Sequence, residues 1–170
     1  LALYTPFFKK RILSGNLIVS LCIGMIPLWS VWPHLSNLHI GFWTLIFSVF
    51  AFSVNFSREI VKDIEDAEGD AAENYKTLPV VMGTQTARIY ALLFLFAALI
   101  TAGVTLFIAA TQQRSLGTLY LIGMGMCLPL TIALFAVFMA NSKEGFHKAS
   151  LILKIAMAVG ITCGFVLRFV

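Results

Sequence analysis

The sequence predicts an all-α, polytopic transmembrane bundle, and three observations carry that prediction. Of its 170 residues, 59% are hydrophobic and 12% charged, against about 25% charged in a soluble domain; mean hydropathy is +0.91. The apolar residues gather into runs long enough to cross about 30 Å of hydrocarbon, which takes roughly 20 helical residues. Seven of the eight acidic residues are crowded between Glu59 and Glu73, which leaves the apolar runs almost free of negative charge. So little polar surface cannot coat a water-facing exterior. In lipid the backbone must satisfy its own hydrogen bonds, and a helix does so within one segment.

Five spans are expected, near residues 16–33, 41–58, 84–110, 118–140 and 150–169. The first is the shortest and carries Pro27, and the fourth carries Pro129; each proline removes a backbone donor and favours a kink or tilt. Ten of the twelve Lys and Arg residues lie in or near the N-terminal stretch, the 59–83 connection and the 141–149 connection, whereas only Arg114 and Arg168 lie on the other side. By the positive-inside rule the acidic segment is cytoplasmic. Trp29, Trp32 and Trp43 flank the opposite connection as an aromatic belt. The net charge of +4 comes from these short topogenic clusters, not from a basic stripe, so no nucleic-acid partner is expected. Cys22, Cys127 and Cys163 are dispersed in apolar runs without disulfide or zinc spacing and are expected to be small buried filler. The chain opens at Leu1, and in LALYTPFFKKR the basic cluster follows the apolar stretch, the reverse of a signal peptide. A cut end, and hence a fragment of a longer protein, is the expectation.

The chemistry concentrates in Arg58-Glu59-Ile60-Val61-Lys62-Asp63-Ile64-Glu65-Asp66-Ala67-Glu68-Gly69-Asp70. On a helix turning about 100° per residue, Asp66 falls about 60° and Asp70 about 20° from Asp63. Glu65 and Glu68 point away, at about 200° and 140°. Gly69 is a candidate helix end before Asp70. Like charges one turn apart repel, so the Asp63, Asp66 and Asp70 set calls for a cation. Hard carboxylate oxygens, few in number, suit Mg²⁺ shared with substrate phosphates. Arg58, Lys62 and Lys76 stand among or just after the acids and are placed to hold phosphate oxygens. The plainer account, a solvated charged loop, is weakened by the single-face geometry and by these interleaved cations.

The segment, with Lys76-Thr77-Leu78-Pro79-Val80 and Gly83 after it, resembles the second aspartate-rich motif of the UbiA superfamily of intramembrane prenyltransferases. The wording R-E-I-x-K-D-I-E-D-x-E-G-D…K-T-L-P is most similar to the digeranylgeranylglyceryl phosphate synthase-like branch, and Gly15-Asn16 opening the first span also fits. The resemblance implies a nine-helix fold around a central cavity, of which residues 1–170 form the C-terminal part of one domain, and two aspartate-rich motifs facing each other at its cytoplasmic mouth. It implies an Mg²⁺-dependent transfer of a prenyl group from an isoprenyl diphosphate to a lipid-like or aromatic acceptor. Asp63, Asp66 and Asp70 are then the metal ligands, and Arg58, Lys62 and Lys76 bind diphosphate; Lys9, near Tyr4, has two equal readings, a further diphosphate ligand or a topogenic charge with Lys10 and Arg11. No Asp precedes Asp63, so the first motif is absent from this stretch and the isolated chain is expected to be inactive.

Other polar residues have plainer expectations. His34 and His39 are read as surface residues far from the acids, and His147 as interfacial. Asn55 has two equal readings, cavity-facing or paired within the bundle. The phenylalanines, Phe42, Phe47, Phe50, Phe52 and Phe56 among them, are read as lipid-facing or packing residues. The competing function is a divalent-cation transporter or channel subunit with a cytoplasmic acidic mouth. It would need acids along the spans, and the five expected spans contain none. A CDP-alcohol phosphotransferase would need a D-G-x-x-A-R core, which is missing.

Overall fold

Only helices and turns occur among residues 12–34 and 37–167, the part described by the computed structural model. α1 (Ser14–Ser30) leads through a 3-10 turn at Trp32–His34 to α2 (Leu38–Ala72), whose start is capped by the Asn37 side chain accepting from the His39 and Ile40 amides. A short α3 (Leu78–Met82) precedes α4 (Thr84–Thr111). α5 (Leu116–Ile122) and α6 (Leu128–Met139) are joined by a π turn at Gly123–Cys127, and α7 (Lys143–Leu167) closes the order.

Among the described residues four helical units are long and apolar enough to cross a membrane: α2, α4, the α5–α6 unit and α7. α1, at 17 residues, measures about 25 Å and falls short of that length. The five expected spans thus resolve into four of spanning length and one shorter apolar helix beside them. The π turn sits just ahead of Pro129, where the Leu128 amide reaches back to the Gly123 carbonyl, so the expected irregularity takes the form of one widened turn. α7 begins well before residue 150 because Ser142 Oγ accepts from the Gly145 amide at 3.2 Å and Glu144 lies in the first turn, where the helix dipole favours an acid.

Packing relies on small residues, as expected where no hydrophobic force separates helix from lipid. α1 runs antiparallel to α2, with Asn16 meeting Asp63 and Ser20 meeting Asn55. A Cβ built on Gly24 would lie 2.9 Å from Phe52 Cβ, so glycine there permits the close approach. α4 turns Ala87, Ala91, Ala98 and Ala102 inward, and Ser57 Oγ donates to the Ala91 carbonyl at 2.9 Å. Phe56 packs edge-on against Phe94 at 4.4 Å and stacks with Phe52 at 5.5 Å. Phe50 fills the space left by Gly160, whereas Phe42 is exposed.

Asn55 is buried and donates to Ser20 Oγ at 3.0 Å, which settles its two readings in favour of packing. Cys163 is buried and donates to the Leu121 carbonyl at 3.2 Å. Cys22 is exposed, contrary to the filler role expected for it, because α1 turns Gly15, Ser20 and Gly24 to its neighbours instead. Trp29 and Trp32 are exposed and stack at 5.7 Å at the end of α1.

Candidate metal and diphosphate site

α2 does not stop where the apolar run ends. It carries the acidic segment as a direct continuation of the span, through Gly69 to Ala72, so Gly69 is not the helix end. Of the 59–83 connection only residues 73–77 and Gly83 lie outside helices. At Gly83 φ is +86°, a conformation that glycine adopts freely, and it lets the chain turn from α3 into α4. Leu78 and Pro79 are buried, which anchors the stretch after Lys76.

Because the helix is regular, Asp63, Asp66 and Asp70 share one face. Asp63 is half-buried and accepts from Asn16 Nδ2 at 2.7 Å. Burial pushes its pKa up to about 6; the Asn16 bond opposes this, and the charges of Asp70, Glu59 and Asp66 add to it. Asp66 is exposed and Asp70 half-buried. Asp63 and Asp70 are about 10 Å apart along the axis, too far to share one octahedral ion with ligands at about 2.0–2.1 Å. Among the described residues no three His, Cys, Asp or Glu side chains converge tightly enough to enclose an ion. A divalent cation on this face would be held by one or two carboxylates and would take its remaining positions from other oxygens, a coordination that Mg²⁺ accepts.

The cations are less gathered than their spacing suggested. Arg58 Nη1 lies 2.6 Å from Glu59 Oε1, and its Nε is buried without a partner. Lys62 and Lys76 are exposed and join neither ion pair seen among the described residues. Lys9 and Tyr4 lie outside the described residues. Thr77 Oγ1 is buried with no partner. His34 and His39 sit at the opposite end of the bundle, His39 beside Trp43 at 6.3 Å.

On the back of the helix, Glu65 Oε1 lies 2.7 Å from His147 Nδ1 on the first turns of α7. Arg88 ties α4 to the start of α7, donating to the Ala140 carbonyl and to Asn141 Oδ1, with its guanidinium 5.2 Å from the centre of the Phe146 ring. Sequence reasoning missed Asn16 as part of the site. Its signal was faint: one amide beside Gly15, 47 residues before the carboxylate it holds.

The UbiA prenyltransferase family profile matches residues 1–165. The chain belongs to the UbiA prenyltransferase family. It is therefore an integral membrane chain, in keeping with its apolar helices. Among its relatives are digeranylgeranylglyceryl phosphate synthases of Thermococcus kodakarensis, 26% identical over 94% of this chain and 54% of the relative, and of Methanosphaera stadtmanae, 32% identical over 92% and 55%. That of Thermococcus sibiricus is 36% identical over 59% of this chain and 34% of the relative. The chain thus spans about half the length of the relatives matched along most of it. No solved structure matches it. UbiA membership disfavours the channel reading, and the buried Asn55–Ser20 pair is neutral.

Proposed function

We propose that this chain supplies the second aspartate-rich half of the active site of an intramembrane prenyltransferase, at the cytoplasmic surface. The parent protein contributes the remaining helices of a nine-helix fold and the facing motif. The observation that carries the reading is the Asp63, Asp66 and Asp70 face, projected by an unbroken spanning helix and steadied by Asn16. The donor is an isoprenyl diphosphate. The relatives' names point to a lipid-like acceptor bearing a glyceryl phosphate rather than an aromatic one.

In this reading Asp63, Asp66 and Asp70 hold Mg²⁺, and Lys62, Lys76, Lys9 and the free Nε of Arg58 take diphosphate oxygens. Bound Mg²⁺ supplies neutralisation of the charge that gathers on the departing diphosphate. The allylic C–O bond breaks with its electron pair leaving on that diphosphate. The acceptor hydroxyl oxygen bonds to the freed carbon, and its proton passes to the departing diphosphate or to water. The apolar helices below the aspartates take the isoprenoid tail, so the reacting carbon stays beside the carboxylate face.

The test is diphosphate release from allylic diphosphates by the full-length protein in vesicles, with and without Mg²⁺. Release should depend on Mg²⁺ and be lost in Asp63→Ala. Equal release by the variant and the parent protein would remove the aspartates from the reaction.

A further inference from the structure

We propose that Asn16 is a positioning residue that biases this centre toward Mg²⁺ over Ca²⁺ by occupying one oxygen of Asp63. The inference rests on the metal-binding reading just given and adds a residue and a selectivity to it. Asn16 Nδ2 donates to Asp63 Oδ2 at 2.7 Å, within the short range of bonds to charged acceptors. The amide must present its nitrogen, since its oxygen would face like charge.

The placement of Asn16 is enforced from below. One turn further along α1, Ser20 is bonded to Asn55 at 3.0 Å, and one turn beyond that Gly24 lies directly against Phe52. α1 is therefore held at contact distance along the stretch that carries Asn16, and the amide is not free to leave the carboxylate.

The choice of an amide matters chemically. A lysine or arginine at this position would neutralise Asp63 and compete with a cation. An amide fixes the carboxylate's orientation while leaving its full negative charge and its Oδ1 available. Ca²⁺ accepts six to eight oxygens and often takes both oxygens of one carboxylate, whereas Mg²⁺ keeps a tight octahedron of single oxygens. With one lone pair of Oδ2 engaged and the carboxylate turned to suit Asn16, Asp63 is less free to offer both oxygens to one ion than to offer Oδ1 alone, which suits the smaller ion. Hydrogen-bond partners of ligands commonly tune metal sites in this way.

The test uses the full-length protein in detergent, with Mg²⁺ alone or Ca²⁺ alone as probe and calorimetric or thermal-shift titration as readout. Asn16→Ala should raise the half-saturating Mg²⁺ concentration about 10- to 100-fold, the usual effect of losing such a partner, and shift Ca²⁺ several-fold less. Asn16→Gln should restore part of the preference. If Asn16→Ala does not fold, Asn16→Ser, whose hydroxyl is too short to reach Asp63, is read the same way. A shift by the same factor for both ions, or no shift, overturns the proposal while Asp63→Ala still abolishes Mg²⁺ binding. Unchanged Mg²⁺ binding in Asp63→Ala overturns the metal reading itself and this proposal with it.

Discussion

The two faces of α2 beyond the membrane carry the same kind of residue put to opposite uses. On the front, Asp63 is held by a neutral amide and keeps its charge available, and Asp66 projects into the open. On the back, Glu65 is spent on His147 and ties α2 to α7. A carboxylate paired with a histidine fastens helices together, whereas carboxylates left facing one another create a demand for a cation. Position on the helix circumference, not residue type, separates the two.

The largest test of that contrast sets adjacent residues against each other. In the full-length protein Asp66→Ala should lower kcat/KM about 10²- to 10³-fold, the scale of losing one group that stabilises developing charge. Glu65→Ala, one residue away, should stay within about fivefold, since surface pairs are worth at most ~1 kcal/mol. Equal losses would erase the front–back distinction.

A second test concerns the cost of the front face when no metal is bound. The folded-state pKa of Asp63 is about 6 against an ordinary 3.8. Ionising it therefore disfavours the fold: stability is fully present below about pH 4 and declines as pH rises toward 6. Asp63→Asn should stabilise the metal-free protein at pH 7.5 by roughly 2–3 kcal/mol, with the gain vanishing near pH 4. Unfolding in detergent at the two pH values, with chelator present, measures it.

Smaller effects sharpen the picture. Gly69 lies inside the helix, and a Cβ added there would touch nothing within 4 Å. Gly69→Ala should stabilise the protein by about 0.5–1 kcal/mol; a fall in activity alongside that gain would mean that substrate approaches the backbone at this point. The smallest effect belongs to the back-face pair. A double-mutant cycle of Glu65→Gln and His147→Ala should return a coupling of about 0.5 kcal/mol, with His147 largely exposed.

The front face was legible in the sequence because it needs only helical periodicity over the eight residues from Asp63 to Asp70, and the aspartates meet that condition whatever the rest of the chain does. The spanning helices were legible from their hydropathy, although their ends were not. Charge suggested that the span and the acidic segment were separate pieces, and Gly69 that the helix ended before Asp70, yet one helix runs through both because helix propagation outlasts the change from lipid to water once started. Ser142 extended α7 in the other direction through a local cap. Asn16 was beyond reach for a different reason. Its partner is fixed by how α1 packs on α2: the i, i+4, i+8 spacing of Asn16, Ser20 and Gly24 marks one face of α1, but not which helix that face meets. Arg58 looked like a phosphate ligand by spacing, whereas the folded chain pairs it first with Glu59.

α2 has no break between Leu38 and Ala72, so its tryptophan-flanked start and its carboxylates move as one rod. Where the bilayer thins or thickens, hydrophobic mismatch is relieved by tilting or shifting such a rod, and the aspartates must then rise or sink against the headgroups. On the proposed reading of this face, the depth at which a lipid-borne diphosphate would meet its ion is tied to membrane thickness, which would make the host lipid part of the site's dimensions.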